Sequence, residues 1–220
     1  MSRPIAILRP EPGNRITAAA IEGRGRVAIR LPLFATRSLA WTVPDPNAFD
    51  ALILTSANAV RLAGDGLQML RGLPVHAVGE ATASAARRAH FDVVSVGQAG
   101  AAALVAQAQA AGVRHALHLA GQERTLDIGG IIAAVLPVYA SEPLPIRPEA
   151  ATALGGSVAL VQSARAGARL AEIVADRGAI LLAAISEAAA AGAGGGWRAT
   201  AIAARPDTEA LIDLAIALAD

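Results

Sequence analysis

The chain is expected to fold as α/β, in two similar lobes that each carry a parallel sheet. Three observations predict this. Short apolar runs rich in Val, Ile and Leu alternate with alanine-rich stretches of helical character, the pattern of buried parallel strands joined by crossover helices. With 220 residues, 54% of them hydrophobic, the chain can bury one large core or two of about 100 residues each. Finally, blocks of the first half recur in the second at a constant offset.

The strand runs are IAIL (5–8), VAIRLPLF (27–34), ALILT (51–55), VHAV (75–78) and DVVSV (92–96). A second five follow: ALHLA (116–120), VLPVYA (135–140), VALVQ (158–162), AILLAAI (179–185) and ATAIA (199–203). Adding 107 to Ser56 gives Ser163, which sets ILTSANA (53–59) against LVQSARA (160–166). The same offset carries VGEATAS (78–84) onto ISEAAAA (185–191) and Glu80 onto Glu187. LPLFA (31–35) matches LPVYA (136–140) at a slightly different offset. One shift that aligns two separate blocks argues for internal duplication.

Each duplicated block ends a buried strand on a small or hydroxyl-bearing residue and then enters a helix. Ser56 there can cap the helix by accepting a backbone N–H. The same turn also points free N–H groups and a positive dipole end at any bound anion. In open α/β sheets ligands sit at the carboxyl edges of the strands, so two such lobes imply a cleft with matching anion-friendly turns on either side.

Composition removes several chemistries. The absence of cysteine excludes disulfides and thiolate catalysis, and all 19 cationic residues are arginine, which excludes lysine nucleophiles. A net charge of +1, with the basic residues spread along the chain, leaves no nucleic-acid footprint. His115 and His118 are the only close histidine pair. Three apart on a strand they face opposite sides, so no metal site is expected. The segment GAGGGW (192–197) lacks the Lys-Ser/Thr of a phosphate loop and is expected to end a helix. Residues 1–10 lack an apolar signal core, and no apolar run approaches the roughly 20 residues of a membrane helix. A soluble, cytoplasmic protein is expected.

Read together, LRPEPGN (8–14), LILTSANAVR (52–61), VHAVGEATASAAR (75–87), HLAGQER (118–124), LPVYASEP (136–143) and RPDTEALIDLA (205–215) resemble uroporphyrinogen-III synthases in order and spacing across nearly the whole chain. The resemblance implies two flavodoxin- or Rossmann-like lobes joined by a two-stranded linker, with the chain crossing between them twice. It sets the boundaries at 1–35 with 142–220 for one lobe and 36–141 for the other, where duplication alone suggests a split near 113. LPLFATR (31–37) and YASEPLP (139–145) are then the linkers. It also implies the reaction: linear hydroxymethylbilane loses its terminal hydroxyl as water, and the ring closes with the last pyrrole inverted. No metal or organic cofactor takes part, and a monomer suffices.

That substrate carries eight carboxylates, which a nearly neutral protein must hold through backbone N–H groups and a few arginines. The candidate binding residues are Ser56, Ala57 and Asn58, Gly79 with Thr82, Gly121, Ser163 and Ser186, together with Arg9, Arg124 and Arg165. Arg9 stands out because Pro10 and Pro12 follow it at a strand end. Tyr139, the chain's only tyrosine, matches the tyrosine that the family carries beside the cleft, and is the candidate acid for the departing hydroxyl. The second lobe departs from the family pattern. It has Gln162-Ser163 for a Thr-Ser turn, and Ser186-Glu187-Ala188-Ala189 for a Gly-x-Thr-Thr-like turn. Two alternatives stay open on the residues alone: a two-lobe binder of a carboxylated small molecule without turnover, and a non-catalytic duplicated scaffold.

Overall fold

The computed structural model describes residues 2–124 and 126–220, and these divide into two compact units, one of the described residues up to 35 with 143–220 and the other of those between 36 and 142. Unit 1 opens with β1 (Ile5–Ile7), α1 (Gly13–Glu22) and β2 (Ala28–Arg30). β3 (Phe34–Ser38) then leads into unit 2, which holds β4 (Ala51–Leu54), α2 (Ala57–Leu62), β5 (Val75–Val78), α3 (Glu80–Arg88), β6 (Val93–Gly97), α4 (Ala101–Ala110) and β7 (Ala116–Gly121). The long β8 (Ile132–Pro143) returns the chain to unit 1. There follow α5 (Pro148–Thr152), β9 (Val158–Val161), α6 (Ala164–Ile173), β10 (Leu181–Ala184), α7 (Glu187–Ala193), β11 (Ala199–Ile202) and α8 (Thr208–Ala219).

Unit 1 is built on a five-stranded parallel sheet in the order β11-β10-β9-β1-β2. The other sheet runs β3-β8-β7-β4-β5-β6 and is parallel from β8 to β6. The Leu39 N–H donates to the Val138 carbonyl and the Leu144 N–H to the Leu33 carbonyl, each at 2.9 Å. One strand advances as the other recedes, so β3 lies antiparallel to β8.

Setting β4, β5 and β6 against β9, β10 and β11 puts β7 and β8 in the places of β1 and β2. The two sheets therefore share one strand order, with the duplication permuted. The strand pair that ends the unit 2 pattern corresponds to the pair that begins the chain. This explains why an offset of 107 aligns the middle of each half and fails at their ends.

Strand alternation sorts the cores. In unit 2, Leu52, Leu54, Val75, Ala77, Leu117 and Leu119 face the α2 and α3 side, while Ala51, Ile53 and Ala116 pack with Leu104 and Ala108 of α4. In unit 1, Ala6, Ala159, Val161 and Leu182 meet α6 and α7, while Ile5, Ile7, Val158 and Leu160 meet α1 and α8. Helices cover both faces of each sheet, as parallel sheets require.

One expected strand is corrected. Residues 27–34 read as a single run, yet they form β2 and the start of β3, in different sheets. Pro32 falls between them, and with no N–H to donate it cannot continue a ladder. Among the described residues no helix is long and apolar enough to cross a membrane.

Candidate functional site

Because the strands of each sheet are parallel, their carboxyl ends gather along one edge. In unit 2 that edge collects the turns after β4 (Ser56, Ala57, Asn58), β5 (Gly79) and β7 (Gly121, Arg124), together with Tyr139. In unit 1 it collects Arg9 after β1, Ser163 and Arg165 after β9, and Ser186 after β10.

The three serines all act as helix caps. Ser56 Oγ accepts from the Asn58 N–H at 3.2 Å, Ser163 Oγ from the Ala166 N–H at 3.1 Å, and Ser186 Oγ from the Ala189 N–H at 3.3 Å. Asn58 in turn accepts from Arg61 Nη1 at 3.3 Å. Gly79 is different: it adopts φ +74°, caps α3 with no side-chain hydrogen bond, and so leaves the first turn of that helix uncapped by a side chain. A residue with a Cβ is strained at that φ, hence glycine. Thr82 lies two residues into α3 and is only 5% exposed, so its side chain lies below the surface of the edge. The equivalence of the duplicated blocks is carried by position: Glu80 and Glu187 are each the first residue of their helix.

Tyr139 pairs in register with Gly121 at the end of β7. An alanine methyl at 121 would stand 2.8 Å from the Tyr139 ring carbon Cζ and 3.0 Å from its hydroxyl, so the phenol lies across the space that a side chain would fill. Gly121→Ala is therefore expected to cost unit 2 about 1–3 kcal/mol of stability, the usual range for overpacking. Urea unfolding followed by Trp41 fluorescence in a Trp197→Phe background measures it, and an unchanged midpoint would mean that the ring swings aside freely.

In unit 1, Arg9 is held in a built loop. Asn14, fully buried, donates from Nδ2 to the carbonyls of Ile7 (2.8 Å) and Arg9 (3.1 Å), while its Oδ1 accepts from Arg30 Nε at 3.0 Å. Arg30 also pairs with Glu11. The Arg9 guanidinium folds over Gly13, where a Cβ would meet Nε at 2.5 Å, and Nη1 lies 3.5 Å from Thr208 Oγ1. Arg165 stacks on Phe34, its guanidinium carbon 4.3 Å from the ring centroid. Gln162 has a buried Oε1 with no hydrogen-bond partner among the described residues. Arg124 is partnered by Asp127 at 3.3 Å and donates to the Gln122 carbonyl at 3.1 Å.

Sequence reasoning passed over Asn14, which closes LRPEPGN as its last residue, and the Gly100 turn before α4, whose φ of +90° and lack of a side-chain cap repeat the arrangement at Gly79. His118, set aside in the sequence as a metal ligand and taken for a core or surface histidine, has a specific contact that the sequence does not show. This residue lies on β7, fully buried, with Nε2 3.2 Å from Thr55 Oγ1. Burial and the Arg124 charge hold its imidazole down to about 4, against the opposing pull of Asp127.

A family model described as uroporphyrinogen-III synthase HemD matches residues 16–213. Among solved structures, the uroporphyrinogen-III synthetase of Helicobacter pylori is similar with a TM-score of 0.68 at 20% identity, over 98% of this chain and 99% of that one. A mutant uroporphyrinogen III synthase from the extremely thermophilic bacterium Thermus thermophilus is similar with a TM-score of 0.54 at 16% identity, over 98% of each chain. At these identities the two structures speak for the fold. No curated protein matches the sequence. The family match spans all but the first 15 and last seven residues, and with it the chain belongs to the uroporphyrinogen-III synthases, lyases that cyclise hydroxymethylbilane.

Proposed function

We infer that each unit holds carboxylates of hydroxymethylbilane at the carboxyl edge of its sheet and that Tyr139 assists departure of the terminal hydroxyl. In unit 2 the receiving groups are the uncapped first turn of α3 after Gly79 and the side chains of Ser56, Asn58 and Arg124. In unit 1 they are Arg9, Arg165 and the turns at Ser163 and Ser186. Charge-assisted hydrogen bonds of this kind contribute about 1.5–3 kcal/mol each, so several together hold a polyanion without a strongly basic protein. α2 spans only six residues, so binding after β4 rests on side chains and individual N–H groups more than on a helix dipole.

In the chemical step the hydroxymethyl C–O bond breaks. The adjoining pyrrole supplies the electron pair, and the phenol of Tyr139 donates the proton with which the hydroxyl leaves as water. The protein's larger task is conformational. Fixing several carboxylates at once restricts a flexible chain to the conformers that close with the last ring inverted. The observation that carries this reading is the placement of the sole tyrosine over Gly121, on the edge that also bears the Ser56 and Gly79 turns. The enzyme on this reading works as a cytoplasmic monomer that takes up no nucleic acid; a net charge of +1 without basic clustering supports the last point.

The test supplies hydroxymethylbilane made freshly by a deaminase and separates the uroporphyrinogen isomers by chromatography. Enrichment of type III over type I is expected, and type I alone would defeat the assignment. Tyr139→Phe is expected to lower kcat roughly tenfold with little change in KM, less than the usual effect of losing a general acid because the pyrrole itself expels the leaving group. An unchanged rate would remove Tyr139 from the step.

A further inference from the structure

His118 of β7 pairs in register with Ile53 of β4, so both side chains lie on the α4 face of the unit 2 sheet. From there the ring reaches Thr55, the residue between the end of β4 and Ser56, with Nε2 3.2 Å from Thr55 Oγ1. The other ring nitrogen, Nδ1, is buried and has no hydrogen-bond partner among the described residues. A neutral imidazole carries one ring hydrogen, and these two facts select its position. A hydrogen on Nδ1 would be a buried donor without an acceptor, a rarely tolerated orphan. A hydrogen on Nε2 is donated to Thr55 Oγ1 and leaves only a bare lone pair unmatched.

The choice has a consequence for Thr55. Once its oxygen accepts from His118, its own hydroxyl hydrogen must be donated elsewhere. No other side-chain hydrogen bond of Thr55 exists among the described residues, and the residue is half-buried at the strand edge. A carboxylate is an acceptor only, so the hydroxyl and the substrate's acidic arms are complementary.

We propose that His118 is a positioning residue: by donating from Nε2 to Thr55 Oγ1 it commits the Thr55 hydroxyl to donate to a carboxylate of the substrate at the end of β4. The role rests on the substrate assignment made above.

Two measurements test it. Long-range imidazole ¹H–¹⁵N spectra of the full chain at neutral pH, with His118 assigned by its loss in His118→Gln, are expected to show the Nε2–H tautomer. An Nδ1–H tautomer overturns the proposal whatever the activity. In the isomer assay, Thr55→Val is expected to raise KM about tenfold with a much smaller change in kcat, as for loss of one hydrogen bond to a charged group, while Thr55→Ser retains tight binding. His118→Leu is expected to raise KM similarly, and His118→Gln, whose amide N–H can reach the Nε2 position, to restore it. The double change Thr55→Val with His118→Leu is expected to be no worse than either alone. Equal behaviour of the Leu and Gln variants, or a Thr55→Val enzyme with unaltered KM, overturns the proposal and leaves the substrate assignment standing. A wild-type protein that yields no type III isomer removes the substrate assignment and this role with it, even with the expected tautomer.

Discussion

Gly192→Ala is expected to lower the unfolding free energy of unit 1 by about 3 kcal/mol, the upper part of the range for inserting a methyl into a packed interior. On helix propensity alone the change should stabilise, since alanine is favoured over glycine by about 1 kcal/mol in a helix interior, and Gly192 lies within α7. Packing reverses the sign. A Cβ at 192 would stand 2.3 Å from the Ala164 carbonyl oxygen and 2.4 Å from its Cα, so the obstruction is backbone at the start of α6 and cannot rotate away. The crossing is tight from the other side too, because a Cβ at Gly167 of α6 would meet the Ala193 nitrogen at 2.6 Å. Relief requires the two helices to part, which exposes Leu170, Ala189 and Ala193 of the same core and shifts the turns at Ser163 and Ser186 that begin them. Gly195→Ala is the control, because nothing lies within 4 Å of its Cβ position. Trp197 of unit 1 and Trp41 of unit 2 are the chain's two tryptophans. In a Trp41→Phe background, urea unfolding therefore reports unit 1 alone. A Gly192→Ala midpoint equal to that of Gly195→Ala would show that α6 and α7 have room to spare.

This crossing marks where local sequence signals stop. Alternating apolar runs located ten stretches of strand because buried parallel strands are continuously apolar, as at residues 51–54 and 158–161. The same signal could not divide residues 27–34 between two sheets, since apolarity says that a residue is buried and not against what. GAGGGW reads as a helix end, and Gly194, at φ +65°, is that end. Gly192, two residues earlier, is glycine for a contact with Ala164 that no local pattern encodes. The serines at 56, 163 and 186 were legible as strand-to-helix turns, and their capping bonds follow from local geometry. The Asn14 clamp on LRPEPGN joins residues close in sequence but needs Arg30 as its third partner. His118 was invisible as more than a core histidine because its partner, Thr55, lies 63 residues away.

Mild acid is expected to unfold unit 2 before unit 1. His118 and His76 lie on the α4 face of the unit 2 sheet, flanking Ile53 in one cross-strand row, and are 0% and 4% exposed. Burial lowers both imidazoles, to about 4 for His118, while Asp50 partly opposes the shift at His76, whose Nδ1 lies 2.7 Å from Ser95 Oγ. In the unfolded chain each titrates near 6.5. Between that value and about 4 the unfolded state binds the extra proton, so stability is complete above pH 6.5 and falls as pH drops through this window. For His118 alone the loss is about 2 kcal/mol at pH 5 and about 3 kcal/mol by pH 4, at 1.36 kcal/mol per pH unit of separation. Unit 1 has no matching pair. Its shifted groups are carboxylates held low. The Ala210 N–H and Arg205 hold Asp207 down, and at Glu11 the upward pull of burial is outweighed by Arg15 and Arg30 together. Their contribution persists down to pH values near 4.5 and declines only below. Urea titrations at pH 7.5 and pH 5, read from Trp41 in a Trp197→Phe background and from Trp197 in a Trp41→Phe background, separate the two units. The unit 2 midpoint is expected to fall by the equivalent of at least 2 kcal/mol while that of unit 1 stays nearly constant. His118→Gln, which cannot take up the proton, is expected to remove most of the dependence. If both midpoints move together, or unit 2 holds its stability at pH 5, the histidines are not the acid-sensitive element of this fold.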